Sequence, residues 1–262
     1  MKSNRIQEMK QLFLSRKQVL NTELCDTFGV SIETVRRDLN LLEKEGFIRK
    51  VYGGARLVEN PGLPATIETW DTRLKKNEPF KKSIAEKAAT LIPDGCTVFL
   101  DTGTSVFEIL PLLSRKKNLT ILTNSLRVAT EMGLCESFSV YSIGGLVKRE
   151  TLTSMGFFAK EFLSSFYHID YAILSCDGFL PDYGTTEYSA EIAQFKQLVM
   201  DKTAHIIAAA DHTKFGIAGS CDCCPIEKIG TLVTDTLVSA SALHKLQERG
   251  VQVLQASDRT VL

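Results

Sequence analysis

The stretch from Val19 to Tyr52, VLNTELCDTFGVSIETVRRDLNLLEKEGFIRKVY, decides how the rest of the chain is read. Two short helical patterns are separated by a tight turn and followed by a basic, β-prone tail. Asn21 stands where a cap belongs, before a helix carrying Leu24, Cys25 and Phe28 on one face, and Gly29 stops that helix. Val30 fills the turn. Ser31 caps a second helix with Glu33 in its first turn, where the helix dipole favours an anion. Ile32, Val35, Leu39 and Leu42 recur at helical spacing and turn one face inward, leaving Thr34, Arg36, Arg37 and Asn40 outside. Gly46 ends the run. The pattern is a helix-turn-helix whose second helix is basic and rich in hydrogen-bonding groups over its N-terminal half. An ordinary helical hairpin would share the charged face. The tight turn, the capped second helix and the basic tail together favour DNA binding.

Working outward, Asn4 to Ser15 read as a helix with Ile6, Met9, Leu12 and Phe13 packed behind this pair. Phe47 to Tyr52 alternates as a strand, Gly53-Gly54 turns, and Ala55 to Val58 returns. That is a β-wing bringing Arg49, Lys50 and Arg56 near phosphates. The expected DNA face is Ser31, Thr34, Val35, Arg36 and Arg37, with Arg49, Lys50 and Tyr52 from the wing. Thr34 and Arg36 suit base edges; Arg37, Arg49 and Lys50 suit phosphates. The string VSIETVRRDLNLLEKEGFIRKVYGGA, from Val30 to Ala55, resembles the winged helix-turn-helix signature of the DeoR family of bacterial transcriptional regulators. It carries nearly every fixed position of the family pattern VS..T.RRDL..LE..G.I.R..GGA. The resemblance implies a regulator, a repressor of a carbohydrate-utilisation operon, that binds a double-stranded operator. One small module binds weakly, so a homo-oligomer, a dimer or tetramer, is expected on a repeated site.

With 262 residues, 44% of them hydrophobic, the chain is long for one domain and has material for a real core. Charge divides it. Residues 1–56 hold 11 Lys and Arg against 7 Asp and Glu, while the remainder holds 20 against 24. A basic head on a mildly acidic body fits DNA binding at one end and ligand binding at the other. No apolar run approaches the roughly 20 residues of a membrane span, so no membrane partner is expected. The N-terminus lacks a signal-peptide core, and the seven cysteines show no extracellular framework spacing. These features point to reduced thiols and a cytoplasmic protein.

The expected division is residues 1–58 as winged helix-turn-helix, 59–78 as linker and connector, and 79–262 as an α/β effector domain. Glu59 to Pro64 has two prolines, a glycine and no periodicity. Ile67 to Lys76 reads as helical, anchored by Trp70 and Leu74, and a helix from Pro79 turns Ile84, Ala88 and Leu91 inward. Then apolar β-rich runs alternate with helices: Cys96–Leu100, Leu119–Leu122, Ser139–Ile143, Tyr171–Leu174, His205–Ala209, Leu232–Val233 and Val251–Leu254. That order implies a doubly wound α/β domain. Small polar residues follow nearly every run, and in open α/β sheets the ligand sits outside those carboxyl ends.

The loop Thr102-Gly103-Thr104-Ser105, between a strand and a helix, suits an anion: glycine permits close approach, and free N–H groups and hydroxyls donate. Lys214, and Lys196 on a helix from Ser189 to Met200, add cations at the same rim. Asp101, Asn124, Asp177 and Glu187 can hydrogen-bond sugar hydroxyls. Each feature alone has a blander reading, as a Ser-capped turn or a solvated lysine; together they fit a phosphorylated sugar or polyol. Here too the chain resembles the DeoR effector domain, whose fold is similar to ribose-5-phosphate isomerases. The matching pieces are Asp101 to Ser105, Thr123 to Ser125, Gly144-Gly145, Met155-Gly156, Asp177 to Phe179, Gly184 to Thr186 and Ala210 to Gly216. The expected effector residues are therefore Asp101, Thr102, Gly103, Thr104, Ser105, Thr123, Asn124, Gly144, Gly145, Asp177, Gly178, Glu187, Lys196, Asp211 and Lys214.

The alternative is a sugar-phosphate isomerase-like enzyme fused to a DNA-binding domain. The isomerases' Asp-Gly-Ala-Asp string is matched only at Asp177-Gly178, because Phe179 and Leu180 follow, and no other acid–base pair stands in. No catalytic residue and no cofactor are expected. Cys221-Asp222-Cys223-Cys224 lacks a second ligand pair, with His212 the nearest candidate, and reads as thiols on a variable loop with no metal. His168 and His205, beside apolar strand patterns, read as structural.

Overall fold

Gly29 adopts the left-handed conformation at φ 61° and donates its N–H to the Cys25 carbonyl, so the helix-turn-helix corner rests on a residue without a Cβ. It lies in the first of two compact units, Met1–Ile67 and Glu68–Leu262. The computed structural model describes residues 2–44, 47–51, 53–57 and 69–257. The first unit comprises α1 (Lys2–Arg16), β1 (Gln18–Leu20), α2 (Asn21–Phe28), α3 (Ile32–Lys44), β2 (Ile48–Val51) and β3 (Gly54–Leu57). Met9, Phe13, Leu24, Val35, Leu39, Leu42 and Ile48 form its core. The wing hairpin forms as expected. β1 was not legible; it pairs with β3, Gln18 opposite Arg56, giving a three-stranded sheet in the order β1-β3-β2. Because β1 runs straight into α2, Leu20 takes the capping position without a side-chain bond. Asn21 is instead the first helical residue, and its N–H reaches the Gly53 carbonyl at 2.9 Å, so the wing turn fastens the start of the helix. Gly46 and Tyr52 lie outside the described residues.

The second unit opens with α4 (Trp70–Lys75) and α5 (Glu78–Ala89), followed by β4 (Thr97–Leu100), α6 (Thr104–Phe107), α7 (Leu110–Leu113), β5 (Thr120–Thr123), α8 (Leu126–Met132) and β6 (Ser139–Ser142). Next come β7 (Leu146–Lys148), β8 (Thr153–Met155), α9 (Phe157–Ser164), β9 (Ile169–Leu174), β10 (Gly178–Leu180) and β11 (Gly184–Glu187). The unit finishes with α10 (Ala190–Met200), β12 (Thr203–Ala209), β13 (Cys221–Pro225), β14 (Thr231–Thr234), α11 (Ala240–Glu248) and β15 (Gln252–Gln255). The seven apolar runs are the seven strands of one parallel sheet, ordered β15-β14-β12-β9-β4-β5-β6. Strand residues alternate between two buried faces. Phe99, Ala172, Leu174 and Ala208 meet Phe195, Val199 and Leu163 on one side. Val98, Leu100, Ile173 and Ile207 meet Ile84, Ala88 and Val106 on the other. The second unit is thus a doubly wound α/β sheet, and the first is a helix-turn-helix unit with a wing. The winding reverses between β4 and β9, which makes their carboxyl ends the topological switch point.

The antiparallel pieces were not anticipated. β7 pairs with β8, and β10-β11-β13 form a small sheet. Cys221-Asp222-Cys223-Cys224, expected as a variable loop, is most of β13, and Cys223 and Cys224 are buried against the core. His168 and His205 are both exposed; His168 precedes β9, while His205 is part of β12 and stacks on Tyr171 at 5.1 Å. Val58 of the expected wing and residues 59–68 of the expected linker lie outside the described residues. α4 is packed into the second unit: Trp70 is buried edge-on against Phe107 at 4.9 Å, with the Arg127 guanidinium 4.2 Å above its ring.

Candidate functional site

At the switch point, β4 leads into Asp101 and β9 leads into Ser175. The Asp101 carboxylate accepts from the Ser175 N–H at 2.9 Å and from its hydroxyl. Lys196, projecting from α10, closes the arrangement with its ammonium 2.7 Å from Asp101, 2.7 Å from Glu187 and 2.9 Å from the Ser175 carbonyl. All three charged side chains are buried. Lys196 is therefore not a rim cation, as the sequence suggested, but a floor beneath the loops. Asp101 is spent on it and on Ser175, so it does not face a ligand. Two carboxylates cannot both ionise cheaply around one buried ammonium. Burial pushes the Glu187 carboxyl up to about 8, against the pull of Lys196 and with Asp177 and Asp101 adding to the rise. Asp101 moves the other way: burial opposes ionisation, but the charge and hydrogen bond of Lys196 hold it below its ordinary range. For Lys196 the two acids outweigh burial and strengthen its hold on its proton.

Gly103 has an ordinary φ of −73°. Its requirement is space, since a Cβ there would lie 2.1 Å from the Ser175 hydroxyl oxygen. The glycine lets the two switch-point loops touch, rather than leaving room for a ligand as expected.

Above this floor opens a cavity of about 130 Å³, roughly ten times what one water needs. Of the expected residues it gathers Thr102, Gly103, Thr104, Ser105, Asp177, Glu187, Lys196, Asp211 and Lys214. Thr123, Asn124, Gly144, Gly145 and Gly178 are not in its wall. Thr123 donates to the Leu100 carbonyl at 2.8 Å and Asn124 to the Ser154 carbonyl at 3.2 Å, so both fasten the end of β5 to its neighbours. Gly144 and Gly145 form an exposed turn after β6, two strands from the switch point. Gly178 begins β10, where a Cβ would meet the Ile217 carbonyl at 2.1 Å.

The opposite wall is not among the expected residues: it is made by Arg73 of α4, Lys81 of α5 and Lys76 and Asn77 between them, with Thr151 and Ile192. The signal was present as five basic residues, Arg73, Lys75, Lys76, Lys81 and Lys82, within ten positions. The cavity thus sets Arg73, Lys76, Lys81, Lys196 and Lys214 against Asp177, Glu187 and Asp211. Arg73 Nε and Thr151 Oγ1 are buried without a hydrogen-bond partner. Lys214 has no ion pair among the described residues. Lys81 lies buried with its ammonium on the Arg73 carbonyl, and burial lowers its proton affinity despite Asp211 nearby. Asp211 accepts from the Thr213 N–H at 3.0 Å and from Asn77 at 3.2 Å, which holds the turn carrying Lys214. His212, weighed above as a partner for the cysteines, lies in a group with Asp211 and Asp235, its Nδ1 3.1 Å from the Asp235 carboxylate.

In the first unit, Arg36 and Arg37 are exposed on α3, and Ser31 accepts the Thr34 N–H at 3.4 Å as its cap. Val35 is fully buried with Leu39 and Leu42, which removes it from the expected DNA face. Lys50 meets Glu43 at 2.8 Å and Asn40 at 2.7 Å, tying the wing to α3. Arg49 and Arg56, both exposed, stand opposite each other across β2 and β3.

Two family models match: the DeoR-like helix-turn-helix domain over residues 5–60 and the DeoR C terminal sensor domain over residues 76–236. The chain is 35% identical to the HTH-type transcriptional regulator IolR of Bacillus subtilis, over 89% of this chain and 91% of that protein. It is 32% identical to the HTH-type transcriptional repressor GlcR of the same organism, over 92% of each. The glycerol-3-phosphate regulon repressor of Escherichia coli matches at 29%, over 93% and 94%. Among solved structures, ribose 5 phosphate isomerase A from Neisseria gonorrhoeae aligns at 15% identity and a TM-score of 0.41, over 55% of each chain. With head and body both matched, and with full-length relatives above 30% identity, the chain belongs to the DeoR family of transcriptional regulators.

Proposed function

We propose that this protein is a repressor of a carbohydrate-utilisation operon whose hold on its operator is controlled by a phosphorylated sugar or polyol in the switch-point cavity. The observation that carries the reading is the cavity's unbalanced charge. Arg73, Lys76, Lys81 and Lys214 face Asp177 and Asp211 in the walls while Lys196 is matched by Asp101 in the floor, and a buried guanidinium nitrogen and a buried hydroxyl have no partner. A phosphate dianion supplies the missing charge and acceptors, and the hydroxyls of Thr102, Thr104, Ser105, Ser175 and Thr213 suit a polyhydroxy chain. The likeness to a glycerol-3-phosphate regulon repressor supports a phosphorylated ligand class.

Binding rather than turnover is supported by Glu187. Its carboxyl, whose proton affinity burial raises, is clamped to Lys196 at 2.7 Å, and isomerisation needs a base free to reach substrate. On DNA, Thr34 and Arg36 read base edges, while Arg37, Arg49 and Arg56 meet phosphates, and two heads engage a repeated site. Arg73 lies in, and Lys76 caps the C-terminus of, the first described helix of the sensor unit. A ligand that gathers them restrains the segment nearest the join between the units. That gives the ligand a differential interaction with two arrangements of the chain.

The test is a thermal-shift screen of phosphorylated sugars and polyols against their unphosphorylated counterparts, followed by operator binding with each hit. A shift specific to a phosphorylated compound, lost in Lys214→Met, is expected. Equal shifts with and without the phosphate would overturn the anion assignment, and turnover of a pentose or hexose phosphate would restore the enzyme alternative.

A further inference from the structure

Helix α9 breaks the rule that a surface helix turns polar residues to water. Ala159 and Leu163 face the core, yet Phe157 and Phe158 are 69% and 73% exposed and Phe162 is 38% exposed. These rings continue into a larger surface. Phe162 lies 5.7 Å from Phe166, and Phe166 lies 5.4 Å from Tyr141 on β6, while Tyr167, next along the chain, is 97% exposed. At roughly 200 Å² for a fully exposed aromatic residue, these rings present about 600 Å² of surface. That is the upper end of what monomers show and most of the roughly 800 Å² each partner gives to a stable interface.

The patch borders an open sheet edge. Among the described residues β6 has a neighbour on one side only, β5. Its sequence Ser139-Val140-Tyr141-Ser142 contains no charged residue and no proline, two of the devices that keep edges from pairing.

We infer that the α9–β6 aromatic face is the surface through which two copies of this chain associate about a two-fold axis. Two observations select a second copy as the occupant. The exposed area matches one side of a standard interface. An edge strand pairs antiparallel with its own copy without any other sequence being required. The inference rests on the paired-head reading above and supplies the contact that reading needs.

The test is the solution mass of the full chain, by sedimentation velocity or light scattering at micromolar concentration. The wild type is expected at twice the 29.1 kDa chain mass or a higher even multiple. The Phe158→Asp and Tyr167→Asp double variant is expected to fall to half that mass. Both rings stand largely outside the fold, and a retained circular dichroism spectrum and melting transition check that the variant is native. Tyr183→Asp, 74% exposed in the β10–β11 turn, is the control and keeps the wild-type mass. A monomeric wild type overturns the paired-head reading together with this surface. A wild-type oligomer whose mass is unchanged in the folded double variant overturns the surface alone.

Discussion

Replacing Lys196 by Met tests the buried floor directly. The side chains are of similar length, so the change removes a charge and its donors with little loss of volume. The wild-type ammonium serves three acceptors within 2.9 Å: Asp101, Glu187 and the Ser175 carbonyl. Removing one partner from a buried ion pair costs about 3–5 kcal/mol, because the charge left behind has neither water nor counterion. Glu187 contributes little to that cost near neutral pH, since it can keep its proton up to about pH 8. Asp101 carries most of it. In a unit of this size each kcal/mol lowers Tm by about 2–4 °C, so the variant is expected to melt roughly 10 °C lower in calorimetry or circular dichroism. Adding Asp101→Asn and Glu187→Gln removes every stranded charge and is expected to recover more than half of the loss, a non-additivity that neighbours in one network require. A single-variant loss below about 3 °C, or a triple variant less stable than the single, would refute the view of Lys196 as the counterion of the floor.

Stability should fall as pH rises from about 4.5 through about 8. Burial first, with Asp177 and Asp101 adding, raises the folded Glu187 carboxyl above its ordinary 4.5, so its contribution is complete below that value and lost above the folded one. Glu187→Gln flattens this part of the Tm profile; an unchanged slope would contradict the assignment. Arg36→Ala and Arg37→Ala should each weaken operator binding by about 1–3 kcal/mol in fluorescence anisotropy, with Arg36→Ala also relaxing sequence preference and Arg37→Ala reducing the salt slope by about one. Equal affinity in either variant would remove that residue from the DNA face. Gly103→Ala places a methyl 2.1 Å from the Ser175 hydroxyl oxygen and should cost about 1–3 kcal/mol of sensor stability, whereas an unshifted melting curve would show that the loops do not depend on their close approach.

The features legible in the sequence are those written in short-range periodicity. Seven apolar runs became seven parallel strands because strands buried on both faces need no alternation, and a bare run survives as the signal. The turn at Gly29 and the inward face of α3 were legible because a left-handed residue and a helical stripe are local facts. β13 was not. Its cysteines look like a loop until Glu187, thirty-four positions earlier, is paired opposite Cys221. Lys196 was misplaced for the same reason. A lysine is read as a surface residue unless its counterions are in view, and Asp101 is ninety-five positions away in the chain. Val35 belongs to the expected DNA face, although its spacing with Leu39 and Leu42 already points inward, where the structure buries it.

The charges at the site divide into two sets with different work. On the floor, Asp101 and Lys196 offset one another and Glu187 favours its neutral form, so the floor carries little net charge toward a ligand. The walls hold Arg73, Lys76, Lys81 and Lys214 against Asp177 and Asp211, an excess of two positive charges. Affinity for an anion must therefore arise in the walls, and stability in the floor. Lys214→Met should abolish a ligand-induced thermal shift while leaving the unliganded melting temperature within about 2 °C, since surface substitutions of this kind stay within about 0.5 kcal/mol. Lys196→Met should lower the unliganded melting temperature and leave a measurable shift at temperatures where it remains folded. If both lysines moved both quantities alike, floor and wall would be one electrostatic unit, and the separation of sensing from folding at the switch point would fail.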